Sequence, residues 1–415
     1  MEILNRGGAD MKQVKREAYL NFLIRHRDEQ LIKVVTGVRR CGKSTLFEMY
    51  RTYLLSQGVT EAQITMINFE DIRYEELLDY HALYAAVTAR LLPDKMNYIF
   101  LDEIQHVKDY EKAVDSLFIK SNCDVYITGS NAYFLSGELS TRLTGRYLEL
   151  SMLPLSFAEF CSGLEGERAA LSDAGKFNLY LELGAFPFIV SHNYGQKEAQ
   201  EYLHGIYDTV LLRDVVERKK ITDITALKNL TKFLMHNIGN RFSLTKIANT
   251  MRSGGMTIDP KTVSRYLEGL TESLLFYEVN RYDIKGKQFL AQQNKYYTAD
   301  IGFRNMLVQN KESDIGHVLE NIVYLELLRR GDTVCVGQQT EDTEIDFVTI
   351  GEGGTAYYQV CASTLDEVTL GRELAPLRAI RDNHPKLLLT LDEVFRTADY
   401  DGIRKVNLID WLLSK

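Results

Sequence analysis

The segment GVRRCGKST, Gly37 to Thr45, assembles the residue types that hold a polyphosphate. Gly37 to Ser44 fit the spacing G-x-x-x-x-G-K-[ST] without a mismatch. Gly37 and Gly42 let backbone N–H groups wrap phosphate oxygens, Lys43 has the reach for terminal phosphates, and the Ser44 hydroxyl suits Mg2+. Arg40, Cys41 and Thr45 complete the loop that such an anion would touch. Further along, Asp102 and Glu103 close the apolar stretch NYIFLDEIQ, Asn97 to Gln105. There the first carboxylate suits a metal and the second a base that polarises an attacking water. Taken alone, the pair would read as the capping start of a helix; a phosphate loop upstream and a strand between the two favour the catalytic reading. A third polar group, TGSN from Thr128 to Asn131, offers Ser130 and Asn131 to sense a terminal phosphate or orient water, or to cap the next helix.

These residues need rigid elements to place them. Leu31 to Val35 is largely apolar and reads as a buried strand, and Leu46 to Leu55 reads as a helix, so the loop runs from strand to helix and its phosphates meet a helix N-terminus. Gln63 to Asp71, Asn97 to Gln105, Asp124 to Ile127 and Tyr147 to Met152 supply four more strands. Val14, Ala18, Tyr19, Phe22 and Leu23 share one face of a leading helix. In a doubly wound sheet the strand that ends in TGSN lies beside the one that feeds the phosphate loop.

With 415 residues and 45% apolar content the chain can build several cores. Its net charge of -8 argues against a protein that coats nucleic acid uniformly, although a local basic face remains open. The five cysteines, Cys41, Cys123, Cys161, Cys335 and Cys361, are odd in number and form no CxxC pair, which disfavours a disulfide framework and a zinc site. No apolar leader and no long apolar run is present, so the expectation is a cytoplasmic protein with no membrane partner.

The order of these motifs, followed by Gly145-Arg146 ahead of the fifth strand and by PLSFAEF, Pro154 to Phe160, resembles the prokaryotic AAA-superfamily ATPases that carry a C-terminal domain of unknown function. The resemblance extends through LLRDVVER (Leu211 to Arg218), YYTADIG (Tyr296 to Gly302), LENIVYLEL (Leu319 to Leu327) and TEIDFV (Thr343 to Val348). It implies ATP and Mg2+ as ligands. It also implies that Arg146, or failing it Arg142, completes a neighbouring subunit's site in a homo-oligomer, and that Asn68 restrains the catalytic glutamate.

Residues 161–225 are helical in pattern and fit a lid, with the run Arg213 to Lys220 read as a solvated charged face. Residues 226–300 hold eleven Lys and Arg against six Asp and Glu, a net of +5 that leaves -13 for the rest of the chain. Within this basic island, Ser243 to Met251, a glycine turn and Lys261 to Val279 give helix, turn, helix and strand, an order that resembles a winged helix. Lys261, Thr262, Ser264 and Arg265 stand in the first turns of the second helix, where contacts to DNA would arise; such folds also dock proteins. From 301 on, an amphipathic helix at LENIVYLELLRRG, two strands meeting at Gly351 to Gly354, a helix and two more strands resemble a PD-(D/E)xK nuclease core. Glu320 and Asp346 would be its metal acids, but Gln359-Val360-Cys361 stands where E-x-K belongs. The missing carboxylate and lysine point to a degenerate site.

The expectation is therefore an α/β fold: a P-loop NTPase (AAA+-like) parallel sheet with a helical lid, a winged helix and a C-terminal PD-(D/E)xK-like α/β domain. The boundaries are 1–30 for the leading helix, 31–160 for the ATPase core, 161–225 for the lid, 226–300 for the winged helix and 301–415 for the nuclease-like domain. The expected activity is hydrolysis of Mg2+·ATP with Lys43, Glu103, Asn131 and Arg146 in catalytic roles, driving domain movement coupled to DNA. An ATP-gated DNA switch with little turnover and an ATP-driven nuclease are the alternatives.

Overall fold

The computed structural model describes residues 13–132, 143–308, 315–340 and 343–414. They divide into two compact units: Lys15–Pro154 with Glu272–Leu274, and Leu155–Thr271 with Leu275–Lys415, which also takes in Gln13 and Val14.

The first unit is built on five parallel strands, β1 (Ile32–Thr36), β2 (Ile64–Asn68), β3 (Asn97–Asp102), β4 (Cys123–Gly129) and β5 (Tyr147–Ser151), in the spatial order β2-β3-β4-β1-β5. Strands β1, β3 and β4 are buried along their whole length, as expected of central strands covered on both faces. Their apolar core joins Ile32, Val34, Ile99, Leu101, Val125 and Ile127 to Leu83 and Val87 of α3 (Tyr80–Thr88) and to Val114 and Leu117 of α4 (Tyr110–Phe118). One cation sits inside this sheet. Lys33 is fully buried, and its Nζ lies 2.6 Å from Asp124 Oδ1 and 2.7 Å from the Glu29 carbonyl. Asp124 also accepts from the Tyr126 hydroxyl and the Asp28 N–H, so the buried pair is satisfied by hydrogen bonds. As predicted, β4 flanks β1, with Thr36 opposite Gly129.

The second unit begins with helices that run from Phe157 to His236. Val210–Glu217 is a π-helix with two sides: Arg213, Glu217 and, beyond it, Lys220 are exposed as the solvated face read from the sequence, while Val210, Leu211, Asp214 and Val215 are buried. The reason is local packing. A Cβ on Gly269 would stand 2.8 Å from Val215 Cγ1, so the helix Pro260–Glu272 lies directly on this turn, and Lys219 pairs with its Glu268 at 3.2 Å. Helix, turn, helix and strand follow in the expected order through Leu244–Ser253, Pro260–Glu272 and β6 (Phe276–Asp283). The hairpin of β6 with β7 (Gln288–Thr298) does not stand apart. Arg281 to Asp283 pair in parallel with Val336 to Gln338 of β8 (Thr333–Gln338), so one sheet runs across residue 300. With β9 (Glu344–Gly351), β10 (Gly354–Cys361), β11 (Lys386–Thr390), β12 (Thr397–Tyr400) and β13 (Ile403–Asn407), the order is β12-β13-β11-β10-β9-β8-β6-β7.

The helix Ile315–Arg329 differs from the amphipathic element expected there: every residue from Val318 to Leu327 is buried. It is enclosed between this sheet and the helix Ile301–Leu307. Its acids are accordingly paired, Glu326 with Arg329 at 2.6 Å and Arg330 at 3.1 Å. Among the described residues, no helix is long and apolar enough to cross a membrane.

Candidate active site

The C-terminal ends of β1, β3 and β4 bring the phosphate loop, the acid pair and TGSN to one edge of the five-stranded sheet. Gly37 leaves β1 where a Cβ would lie 2.3 Å from the Met152 carbonyl, so no side chain fits. Gly42 takes φ 108° as it caps α2 (Lys43–Ser56), a left-handed conformation that favours glycine. The loop is held from behind by Arg16, buried at 4% exposure, which donates to the Cys41 carbonyl at 3.0 Å and the Leu153 carbonyl at 2.7 Å. Cys41 is buried beneath the loop, and burial raises its thiol pKa. Arg40, Ser44 and Thr45 are exposed at the loop's outer side and the start of α2.

Lys43 crosses the loop. Its Nζ donates to the Gly37 carbonyl at 3.0 Å and stands 3.3 Å from Glu103 Oε1, with both side chains buried. Burial opposes the charge on Glu103, but the Lys43 cation outweighs it and, with the Gln105 amide 2.5 Å away, holds the carboxyl below its ordinary range. Burial raises Asp102, against hydrogen bonds from Ser44 and Thr128. The two neighbouring acids are thus pushed in opposite directions by their surroundings. Glu103 itself has φ 54°, a left-handed backbone uncommon outside glycine, at the point where the acid pair leaves β3.

Thr128 ties this corner together. Its hydroxyl donates to Asp102 Oδ1 at 2.6 Å and accepts the Glu103 backbone N–H at 2.8 Å. Sequence reasoning placed the polar role two and three residues later, on Ser130 and Asn131. Ser130 is buried with its Oγ 3.4 Å from Gln105 Nε2, and Asn131 follows it at the same sheet edge. Asn68 does not restrain the glutamate: its amide donates to Asp102 Oδ2 at 3.1 Å, and Gln105 is the residue bonded to Glu103. The reason is register, since Asn68 is paired directly across from Asp102 in the neighbouring strand.

Arg146 lies at the other end of the sheet. Its carbonyl accepts the Ile32 N–H at 2.9 Å, where β1 begins, and its guanidinium pairs with Asp115 over the Phe118 ring. It therefore takes no part in the site that its own Lys43 belongs to. Arg142 lies outside the described residues.

In the second unit Lys261, Ser264 and Arg265 are exposed and Thr262 is half-buried, with the Thr262 N–H capped by Asp259 at 2.7 Å. Glu320 and Asp346 do come together, but around a lysine that the sequence reading missed. Lys295 Nζ, from β7, stands 3.2 Å from Glu320 Oε2 and pairs also with Glu344, which in turn binds Arg241. Burial opposes the Lys295 charge, yet Glu320 and Glu344 raise its pKa. Asp346 is raised by burial and by Glu320, and accepts the Val360 N–H at 2.8 Å. Gln359 donates to Glu373 at 3.0 Å. The available signal was strand periodicity: Lys295 and Tyr297 share a face, and both donate to Glu320. Among the described residues, no group of three His, Cys, Asp or Glu is arranged to hold a metal ion.

The strand order, phosphate loop and acid pair define an AAA-type P-loop ATPase domain, and residues 29–161 match the family model described as the AAA domain. Residues 174–314 match a domain of unknown function, DUF8612. An uncharacterized protein of Haemophilus influenzae is 37% identical over 97% of this chain and 99% of its own length. Uncharacterized protein MJ1544 of Methanocaldococcus jannaschii is 32% identical over 91% of this chain and 85% of its own. The chain belongs to the family of these two proteins. Among solved structures, the Walker-type ATPase PABY2304 of Pyrococcus abyssi shares the fold, with a TM-score of 0.50 and 14% identity over 71% of this chain and 95% of that one.

Proposed function

We propose that the protein binds ATP with Mg2+ and hydrolyses it to ADP and phosphate. The observation that carries this reading is the buried contact of Lys43 with Glu103 at 3.3 Å, beside an Asp102 that is hydrogen-bonded to Ser44. The Ser44 hydroxyl and Asp102 carboxylate are hard oxygen donors of the kind Mg2+ takes. When bound there, the ion would neutralise charge on the phosphate oxygens.

The remaining work falls to the chain's own residues. The loop from Gly37 to Thr45 wraps the phosphates with backbone N–H groups at the start of α2. Lys43 exchanges Glu103 for the β- and γ-phosphates, so one cation holds the base when the site is empty and the substrate when it is full. Released from Lys43, the Glu103 carboxylate becomes more basic and aligns a water against the γ-phosphorus; the bond to the ADP oxygen breaks and the water's proton passes toward Glu103. Thr128 fixes both acids through one hydroxyl, while Ser130 and Asn131, which follow β4 at the same sheet edge, are the polar residues offered to the reacting group. Arg146 reaches the site of a second copy of the chain in a homo-oligomer, a role its distance from its own phosphate loop supports.

Domain movement that follows turnover would act through the second unit, with Lys261, Thr262, Ser264 and Arg265 as the surface offered to DNA. The test is phosphate release from Mg2+·ATP by the wild type and by Glu103→Gln, each with and without duplex DNA at low salt. Turnover lost in the variant supports the hydrolase, and stimulation by DNA supports the coupling. Equal turnover in both proteins would refute the assignment of Glu103.

A further inference from the structure

Beside Lys43 and the exposed Arg40, the phosphate loop carries a further cation whose partner the proposed chemistry does not use. Arg39, two residues after Gly37, pairs through NH1 with Glu70 Oε1 at 2.8 Å. The guanidinium is only 12% exposed although its partner, on the segment after β2, is 42% exposed. Glu70 is itself held: its N–H donates to Asn68 Oδ1 at 2.9 Å, and the Asn68 amide donates to Asp102 Oδ2 at 3.1 Å. An unbroken chain of contacts therefore runs from the metal-side acid through Asn68 and Glu70 to an arginine of the phosphate loop. Glu103, the partner of Lys43, also feels the Arg39 charge. Two of the loop's three cations thus rest on carboxylates, Lys43 on Glu103 and Arg39 on Glu70.

We propose that Arg39 is a further phosphate-binding cation supplied by the chain itself, parked on Glu70 until a γ-phosphate displaces that carboxylate. The proposal rests on the ATP-binding reading above and goes beyond it by naming what separates ATP from ADP. Lys43 and the loop N–H groups serve both nucleotides. Arg39 serves the triphosphate, because a guanidinium leaves a carboxylate only for an anion that replaces both its charge and its hydrogen bonds. Glu70 is a positioning residue: it keeps Arg39 near the mouth of the loop, and the Asn68 amide makes its hold sensitive to what Asp102 binds.

The experiment is calorimetric titration of the full chain with ADP and with a non-hydrolysable ATP analogue, each with Mg2+, in the wild type, Arg39→Ala and Glu70→Gln. Hydrogen bonds to charged groups set the size: Arg39→Ala should weaken the analogue about tenfold or more and leave ADP within about twofold. Glu70→Gln keeps the arginine and removes its competitor, so the analogue should bind several-fold tighter with ADP unchanged. Equal effects on the two nucleotides, or none, would overturn the proposal and assign Arg39 a structural role in the loop. If Arg39→Ala fails to fold, Glu70→Gln decides alone, and an unchanged ratio of the two affinities refutes it. A wild type that binds neither nucleotide would instead refute the ATP reading on which the proposal stands.

Discussion

Glu103→Gln should bind ATP more tightly than the wild type while losing turnover. The amide is isosteric and its oxygen can still accept from Gln105, so the corner of the site keeps its shape. What it loses is the charge facing Lys43 Nζ at 3.3 Å. At that separation the direct attraction is about 5 kcal/mol for an effective dielectric near 20. Most of this is returned, because Lys43 exchanges one anion for another when phosphate arrives. The net contribution of a hydrogen bond to a charged group is about 1.5–3 kcal/mol, which corresponds to ATP binding roughly ten- to a hundredfold tighter. Loss of a positioned base should lower turnover about 10²- to 10⁴-fold. Titration calorimetry with ATP reads the first effect directly, because slow turnover leaves the ligand intact, and phosphate release reads the second. A variant that binds ATP more weakly than the wild type would refute the competition between Glu103 and phosphate for Lys43. Wild-type turnover would refute the base.

Thr128→Val removes a fully buried hydroxyl and leaves the Glu103 N–H and Asp102 Oδ1 without it, a loss of about 2 kcal/mol or more that should lower the melting temperature, with Thr128→Ser restoring it; an unchanged melt would contradict the bridge. Asp300 should make stability fall with rising pH. Burial raises its pKa to about 7 from 3.8, against N–H donors from Ala185 and Gly302 at 2.6 Å, so its contribution is full below the unfolded value and lost as pH passes through 7. The ceiling is roughly 4 kcal/mol, and denaturant titrations between pH 4 and 8 should show a slope that Asp300→Asn removes. Lys295→Met strands Glu320, Glu344 and Asp346 without their buried cation and should cost about 3–5 kcal/mol, with Ca2+ or Mg2+ raising the variant's melting temperature and not the wild type's. Arg146→Ala should slow turnover only where subunits associate; full activity of the variant in an associated enzyme, measured beside its mass in solution, would remove the arginine from the mechanism.

The first unit was legible because its function is written in contiguous residues. The phosphate loop spans Gly37 to Thr45, the acid pair ends a strand, and the buried strands carry few polar residues, so motif and element locate one another. What escaped reading depended on register between strands. Thr128 reaches Asp102 and the Glu103 N–H because β3 and β4 are neighbours, and Asn68 meets Asp102 rather than Glu103 because those two residues are paired across β2 and β3. Sequence distance gives no hint of either. Lys33 adds a partner of the same kind: it lies in the run read as a buried strand, and Asp124 on the adjacent strand is what lets a lysine stay there.

The same physics alters how the basic island should be read. Along the chain its net charge is +5, but the sheet of the second unit draws three of its cations inward. Lys295 and Arg241 answer Glu344 and Glu320, and Arg281 is buried on Gln338. With those three spent, eight cations face six acids, and one of the six, Asp300, is itself buried. The helix that would meet DNA presents Lys261 and Arg265 in its first turns but Glu268 a turn later, and Glu268 and Glu278 both line the groove of about 540 Å³ beside it. Phosphate contacts must therefore be confined to the N-terminal turns of that helix, where Asp259 already takes the Thr262 N–H. Any DNA affinity should show a shallow salt slope, of about two released counterions rather than the six or more of a basic recognition face, and Lys261→Ala with Arg265→Ala should abolish it. A steep slope that survives both substitutions would place the DNA surface elsewhere in the chain.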